Sequence, residues 1–294
     1  MKTKLFVLTT LGITLSACTN DNDEMIDGQV AAVINADISN SVLTRASGTA
    51  WADSDEIGIS ESRFGYNNVP YRWESGKFTP AGTIIFFQDD DPTTFSAYYP
   101  YDADGGTLTA TTDATAQQNQ PAIDFLYATG ATASTHNPEV NFTDDTDAGG
   151  TDCSFHHCMS QITLTFEAGS GVDFNTIKPT DYTLSGLMLT GSFDTTTGTA
   201  ETDANAQTAD LTMELDGVLT SSVILFPQST TSIELSVNYN SQLYTATLTI
   251  PDGALRAGNN YTYTVTVRNK DLSVSSATIS DWNPVNGGNV NADL

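Results

Sequence analysis

Positive charge is the scarcest property of this chain. Ten Lys and Arg stand against 36 Asp and Glu in 294 residues. A surface so acidic repels polyanions, which excludes nucleic acid and anionic lipid headgroups as charge-held partners. Amphipathic helices are missing too: no segment of helical period reaches three turns, so bundles and βαβ folds are excluded. No apolar run is long enough to cross a bilayer as a helix. Cysteine and histidine number three each, too few for a disulfide scaffold. Dinucleotide, P-loop, zinc-hydrolase and nucleophile-elbow motifs are all lacking, and which of the 36 acids face one another is a question for the fold rather than the sequence. No cofactor, metal or catalytic activity is expected.

What is present points to strands. The 13 Phe, 11 Tyr and 3 Trp, with many Val, Ile and Leu, fall in short alternating runs separated by Thr, Ser, Asp, Asn and Gly. That is enough apolar surface for a core despite the charge, and it describes an all-β extracellular protein. A turn feeding a strand is expected over residues 51–60, and strands at 69–73, 77–80, 83–87, 94–100, 107–111, 124–128 and 140–142. Further strands are expected at 160–166, 182–194 (with a glycine bulge), 210–215, 221–226, 232–239, 243–250, 261–268, 272–275 and 277–279. Strict alternation of Ile162, Leu164 and Phe166 makes 160–166 the clearest. Many short strands at this spacing predict two antiparallel β-sandwich domains with Greek-key-type connections. The polar run 143–152 divides them into residues 46–152 and 153–294.

The first 45 residues have separate duties. Lys2 and Lys4 precede an apolar stretch from Leu5 to Thr14, and then Leu15-Ser16-Ala17-Cys18. A cysteine after small residues and a short apolar run is a bacterial lipoprotein signal, with residues 1–17 removed and Cys18 acylated. Attachment to a membrane then rests on acyl chains rather than charge. Residues 18–45 combine an acidic tether with a strand-like segment that closes on Arg45, followed by Ala46. Val33 or Ile34 (depending on register), Ile38, and Val42 or Leu43 are its candidate core-facing residues.

Cys153 and Cys158 remain for other chemistry. In an oxidising compartment they can close a small disulfide loop. With His156 and His157 they also form a C-x2-H-H-C cluster, but neighbours on a strand point to opposite faces and do not converge on a tetrahedral metal. Asp89-Asp90-Asp91 lacks the spacing of a calcium loop and reads as a solvated turn.

In order along the chain stand Leu15-Ser16-Ala17-Cys18, Leu43-Thr44-Arg45-Ala46 and the pattern W-x-x-x-D-x-I-G-I from Trp51 to Ile59. Then come Phe78-Thr79-Pro80, F-S-A-Y-Y-P-Y from Phe95 to Tyr101, D-F-L-Y-A from Asp124 to Ala128, and F-H-x-x-M-S-x-I-T-L-T-F from Phe155 to Phe166. T-G-S-F-D from Thr190, I-L-F-P-Q from Ile224, A-G-N-N-Y-T-Y-T-V-T-V from Ala257 and I-S-D-W-N from Ile279 complete the set. This ordered set resembles the fimbrillin-like (Mfa-like or FimA-type) lipoproteins of Bacteroidales bacteria. The resemblance implies two transthyretin-like β-sandwiches and a non-catalytic role as a pilus subunit or surface lipoprotein of the outer membrane. It also implies cleavage at Arg45–Ala46 by an arginine-specific protease. Loss of the N-terminal strand (Val33, Ile38, Val42) then opens a groove that a strand from another pilin subunit fills.

Beyond Trp282 the only apolar residues are Val285, Val290, Ala292 and Leu294. So few large side chains make a poor groove filler, since about 1.5–3 kcal/mol comes with each one buried. A tip or accessory subunit is the expectation. A non-polymerising lipoprotein that binds glycan or a host protein, through Trp51, Trp73, Tyr98 or Tyr99, is the alternative.

Overall fold

Apolar alternation becomes strand almost throughout the computed structural model, which describes residues 29–39, 50–269 and 271–282. The first part of the chain forms β1 (Val30–Ala31), β2 (Val33–Ala36), β3 (Glu56–Glu61), β4 (Val69–Glu74), β5 (Lys77–Pro80) and β6 (Phe86–Phe87). It continues with β7 (Thr93–Tyr99), β8 (Thr107–Thr111), β9 (Leu126–Ala133), β10 (Glu139–Phe142) and β11 (His156–His157). Six of these make one sheet in the order β11-β9-β7-β3-β4-β5. Its β4–β5 hairpin turns on Ser75 and Gly76, both at positive φ (52° and 89°), where glycine bears no Cβ penalty. The acidic triplet Asp89-Asp90-Asp91 is a surface turn gripped by one cation. Arg63 donates through Nη1 and Nη2 to both Asp89 carboxylate oxygens at 2.8 and 2.9 Å.

The second part contributes β12 (Ser160–Ala168), β13 (Asp181–Met188), β14 (Thr190–Asp194), β15 (Thr199–Thr202), β16 (Thr208–Glu214), β17 (Thr220–Leu225) and β18 (Gln228–Ser229). After these come β19 (Ser232–Tyr239), β20 (Gln242–Thr249), β21 (Ala254–Leu255), β22 (Asn259–Val267), β23 (Leu272–Val274) and β24 (Thr278–Asp281). The expected bulge is real: β13 slips register against β16 between Leu184 and Leu187, with Gly186 at φ 82°.

The expectation of two closed antiparallel sandwiches is corrected. The described strands divide among seven sheets, which together form a four-bladed, propeller-like arrangement. Two ladders are parallel, β2 with β10 and β12 with β22. Such pairing needs long connections, which the chain between these strands provides. The three-stranded sheet β15-β14-β8 takes strands from both parts of the sequence. Side-chain alternation predicts which residues face inward, but it does not fix which sheets share a face.

Among the described residues, three apolar clusters fill the interior. One draws on residues from Ala32 to Phe155, a second on residues from Ile162 to Val267. The third, with Phe125, Met159, Phe193, Phe226 and Trp282, draws on both parts of the sequence. One strand edge is covered by a side chain. Along β17, Gln117 Nε2 donates to the Ile224 carbonyl at 2.7 Å and its Oε1 accepts from the Ile224 amide at 3.0 Å. A side-chain amide thereby stands in for a neighbouring strand.

Candidate functional site

Residues 29–39 pair with strands that are far away in sequence. Their inner face repeats small and large side chains: Ala32, Ile34, Ala36 and Ile38 are all buried. Period-two alternation of this kind forces an extended chain with one dry face. Removing Ile34 or Ile38 from water contributes about 1.5–3 kcal/mol each.

The segment bridges two edges. On one side β1 pairs antiparallel with β6, and the Ala32 amide donates to the Ile85 carbonyl at 2.9 Å. On the other, β2 runs parallel to β10 in the register Val33–Glu139 to Ala36–Phe142. The ladder continues beyond β10: the Asp37 amide donates to Phe142, the Ser39 amide to Phe155, and the Phe155 amide back to Asp37 at 3.0 Å. Withdrawing the segment would orphan these backbone groups and uncover the apolar floor together, and each loss is costly in water.

An aromatic wall closes one end. Trp51 meets Phe78, Tyr99 and Phe155 edge-on at centroid distances of 5.0, 5.6 and 5.1 Å. Its Nε1 donates to the Ala36 carbonyl at 2.8 Å. Beneath the same cluster, burial pushes the Tyr71 phenol up to about 12. Burial and the Asp55 carboxylate push Tyr99 higher still.

The displaced-strand candidates fall out unequally. Ile38 faces the core, but Val33 is 49% exposed, and Ile34 takes the inward place. The sequence left that register open because Val33 and Ile34 are both apolar. Counting Ala32 and Ala36 as inward residues would have resolved it. Trp51, Phe142 and Phe155 as groove lining carried no sequence signal, since their partners lie up to about a hundred residues away. Val42, Arg45, Ala46 and Cys18 lie outside the described residues.

Cys153 and Cys158 are separate buried thiols rather than a disulfide. They belong to different apolar clusters, Cys153 with the floor of the groove and Cys158 with Phe125 and Met159. Between them His156 and His157 diverge as strand neighbours must. His157 Nδ1 donates to Asp124 at 2.7 Å with its ring stacked on Trp282 at 4.1 Å, whereas His156 lies 3.2 Å from Asp152. No metal-competent group of three or more ligands occurs among the described residues. Of the candidate stacking aromatics, Tyr98 is buried and Trp51 is enclosed by the contacts above, while Trp73 leans on Phe78 at 5.0 Å.

A family model described as fimbrillin-like matches residues 44–282. A candidate fimbrium subunit of Bacteroides uniformis is 27% identical over 94% of this chain and 93% of its own. Two solved structures share the fold. A candidate cell adhesion protein of Bacteroides ovatus is 30% identical, with a TM-score of 0.68 over 86% of this chain and 96% of that one. Another from Bacteroides uniformis is 27% identical, with a TM-score of 0.69 over 87% of this chain and 100% of that one. The chain therefore belongs to the fimbrillin-like family, as a structural, non-catalytic fimbrial and adhesive protein of the outer-membrane cell surface.

Proposed function

We propose that this protein is a fimbrial subunit whose groove accepts a strand from another subunit. Residues 29–39 are a temporary occupant in this reading. An arginine-specific protease cuts between Arg45 and Ala46, which separates the body from the lipid on Cys18. The segment then leaves, and a donor strand takes over its hydrogen bonds and its inward pockets. The observation that carries the reading is the position of 29–39. This short segment fills the gap between β6 and β10, yet only residues 40–49, which contain Arg45, tie it to the body.

Cleavage also makes physical sense as the control point. While joined to the body, the segment has a high effective concentration in its groove and excludes a competitor. Once cut, it competes only by its own affinity. Binding of glycan or host ligand as the main role has less support, because the wall aromatics are engaged with one another.

Limited trypsin digestion of the full chain tests the proposal. The expected product has its new N-terminus at Ala46 and an intact body. Rapid cutting throughout the body, or resistance at Arg45, would overturn it.

A further inference from the structure

The second part of the chain holds a cleft that neither the groove nor its aromatic wall uses. Asn240 and Ser241 close the β19–β20 hairpin, both at positive φ (50° and 61°). A two-residue turn of this kind makes Tyr239 and Gln242 a hydrogen-bonded pair, so Leu243 and Thr245 direct their backbone N–H and C=O groups away from β19. β20 has no other strand partner, and among the described residues nothing meets those groups. The β22–β23 hairpin ends beside it, where the Arg268 amide donates to the Asp271 carbonyl at 2.9 Å. Between the two hairpin ends lies a cleft of about 630 Å³, lined by residues 242–245 with Asn269, Asp271 and Leu272. We propose that this cleft binds a neutral saccharide, a second role beside strand acceptance and at residues distinct from the engaged wall aromatics.

The lining suits a polyhydroxyl ligand, which needs donors, acceptors and apolar surface side by side. Tyr244 Oη donates to Gln242 Oε1 at 3.2 Å, which leaves the Gln242 NH2 group to donate to a ligand. The Asn269 amide and the Thr245 hydroxyl each donate and accept, as do the open backbone groups of Leu243 and Thr245. Leu243 is 63% exposed, more than any other large hydrophobic side chain among the described residues. With Tyr244 and Leu272 it offers apolar surface to the C–H faces of a sugar ring. Asp271 is the one charged side chain among the described lining residues. Its carboxylate accepts from sugar hydroxyls and repels carboxylated or sulfated sugars, which sets the neutral class.

A further strand does not fit this place. Cα atoms of β20 and β23 come within 8 Å of each other, whereas a strand between them needs two spacings of about 4.8 Å each. The volume falls in the range of roughly 300–1,000 Å³ that takes small molecules rather than a folded partner. The position also leaves the groove free. β12 and β22 run in parallel from Gln161–Asn260 to Ala168–Val267. Their first ends adjoin the third apolar cluster: the Gly258 amide donates to the carbonyl of Met159, which shares that cluster with Phe125 of the first part. The cleft lies at their other end, roughly 23 Å along the strands. Saccharide binding there is independent of strand exchange, and its test needs no cleavage at Arg45.

The test uses the uncut full chain with a C-terminal biotin tag, clustered on streptavidin so that weak single contacts add. On a printed array of neutral and acidic oligosaccharides it should bind neutral ones. The best neutral hit is then titrated against the wild-type chain and two variants. Leu243→Asp, and Gln242→Ala combined with Asn269→Ala, should each weaken binding by at least about tenfold. All three positions are exposed, and circular dichroism of each variant controls for folding. Unchanged affinity in either variant would overturn the cleft assignment, and so would an array without a neutral hit. Binding confined to acidic glycans would overturn the ligand class. None of these outcomes touches the groove reading, which trypsin digestion tests separately.

Discussion

Trp51 Nε1 donates to the carbonyl of Ala36 at 2.8 Å, joining β2 to the start of the main body by a hydrogen bond independent of the sheet ladder. A phenylalanine at 51 would keep edge contact with Phe78 and Phe155 and lose the donor. Trp51→Phe should therefore destabilise the uncut chain by about 1 kcal/mol, the usual net value of one such bond. After cleavage it should speed release of the 29–45 fragment. Urea denaturation reads the first effect and mass analysis of the released fragment the second. Unchanged release would show that the bond does not retain the strand.

The alternation along 32–38 makes a sharper claim about register. Ile34 is buried and Val33 is half-exposed although they are adjacent and chemically alike. Ile34→Ala should cost about 2–4 kcal/mol through lost burial and the cavity left behind. Val33→Ala should fall within about 0.5 kcal/mol. Equal costs in denaturant titrations would mean that the strand samples both registers.

The contrast between those two residues also shows what was legible in the sequence. Strands with a strict period were readable to the residue: Lys77–Pro80, Thr107–Thr111 and Ser232–Tyr239 form where alternation places them. Thr199–Thr202 was not, because Thr-Ala-Glu-Thr has no apolar pattern and is held by its ladder with β14. Parallel pairing of β12 with β22 and of β2 with β10 was invisible too. Each joins segments about a hundred residues apart, and nothing local encodes the partner. The N-terminal strand segment could be found from its alternation before Arg45. Its lining could not, since Trp51, Phe142 and Phe155 converge only after the chain has folded.

The cysteines give a chemical prediction. Burial and the Asp124 charge push the Cys158 thiol up to about 12, and burial also raises Cys153. Thiolate is the reactive form, so both should be nearly inert at mildly alkaline pH in the folded protein. Iodoacetamide at pH 8 should label Cys158 only after denaturant is added, and a reducing agent should leave the melting temperature unchanged. Loss of stability on reduction would reveal a disulfide.

Alkaline pH should weaken the fold through its buried phenols. Burial raises Tyr71, beneath the groove, and Tyr182, in the second cluster, from 10.0 to about 12 each. A group with a raised folded-state value contributes stability that is complete below its unfolded value. Above pH 10 the unfolded chain releases the phenolic proton while the folded chain retains it, so stability falls as pH climbs from about 10 through about 12. Tyr71→Phe should flatten that decline, because its hydroxyl does little else than accept a long 3.4 Å bond from the Ile85 amide. Ile85 also accepts from Ala32, so the variant tests the groove floor directly. Chemical denaturation across this pH range is the measurement, and an identical slope in wild type and variant would remove Tyr71 as a source of alkaline sensitivity.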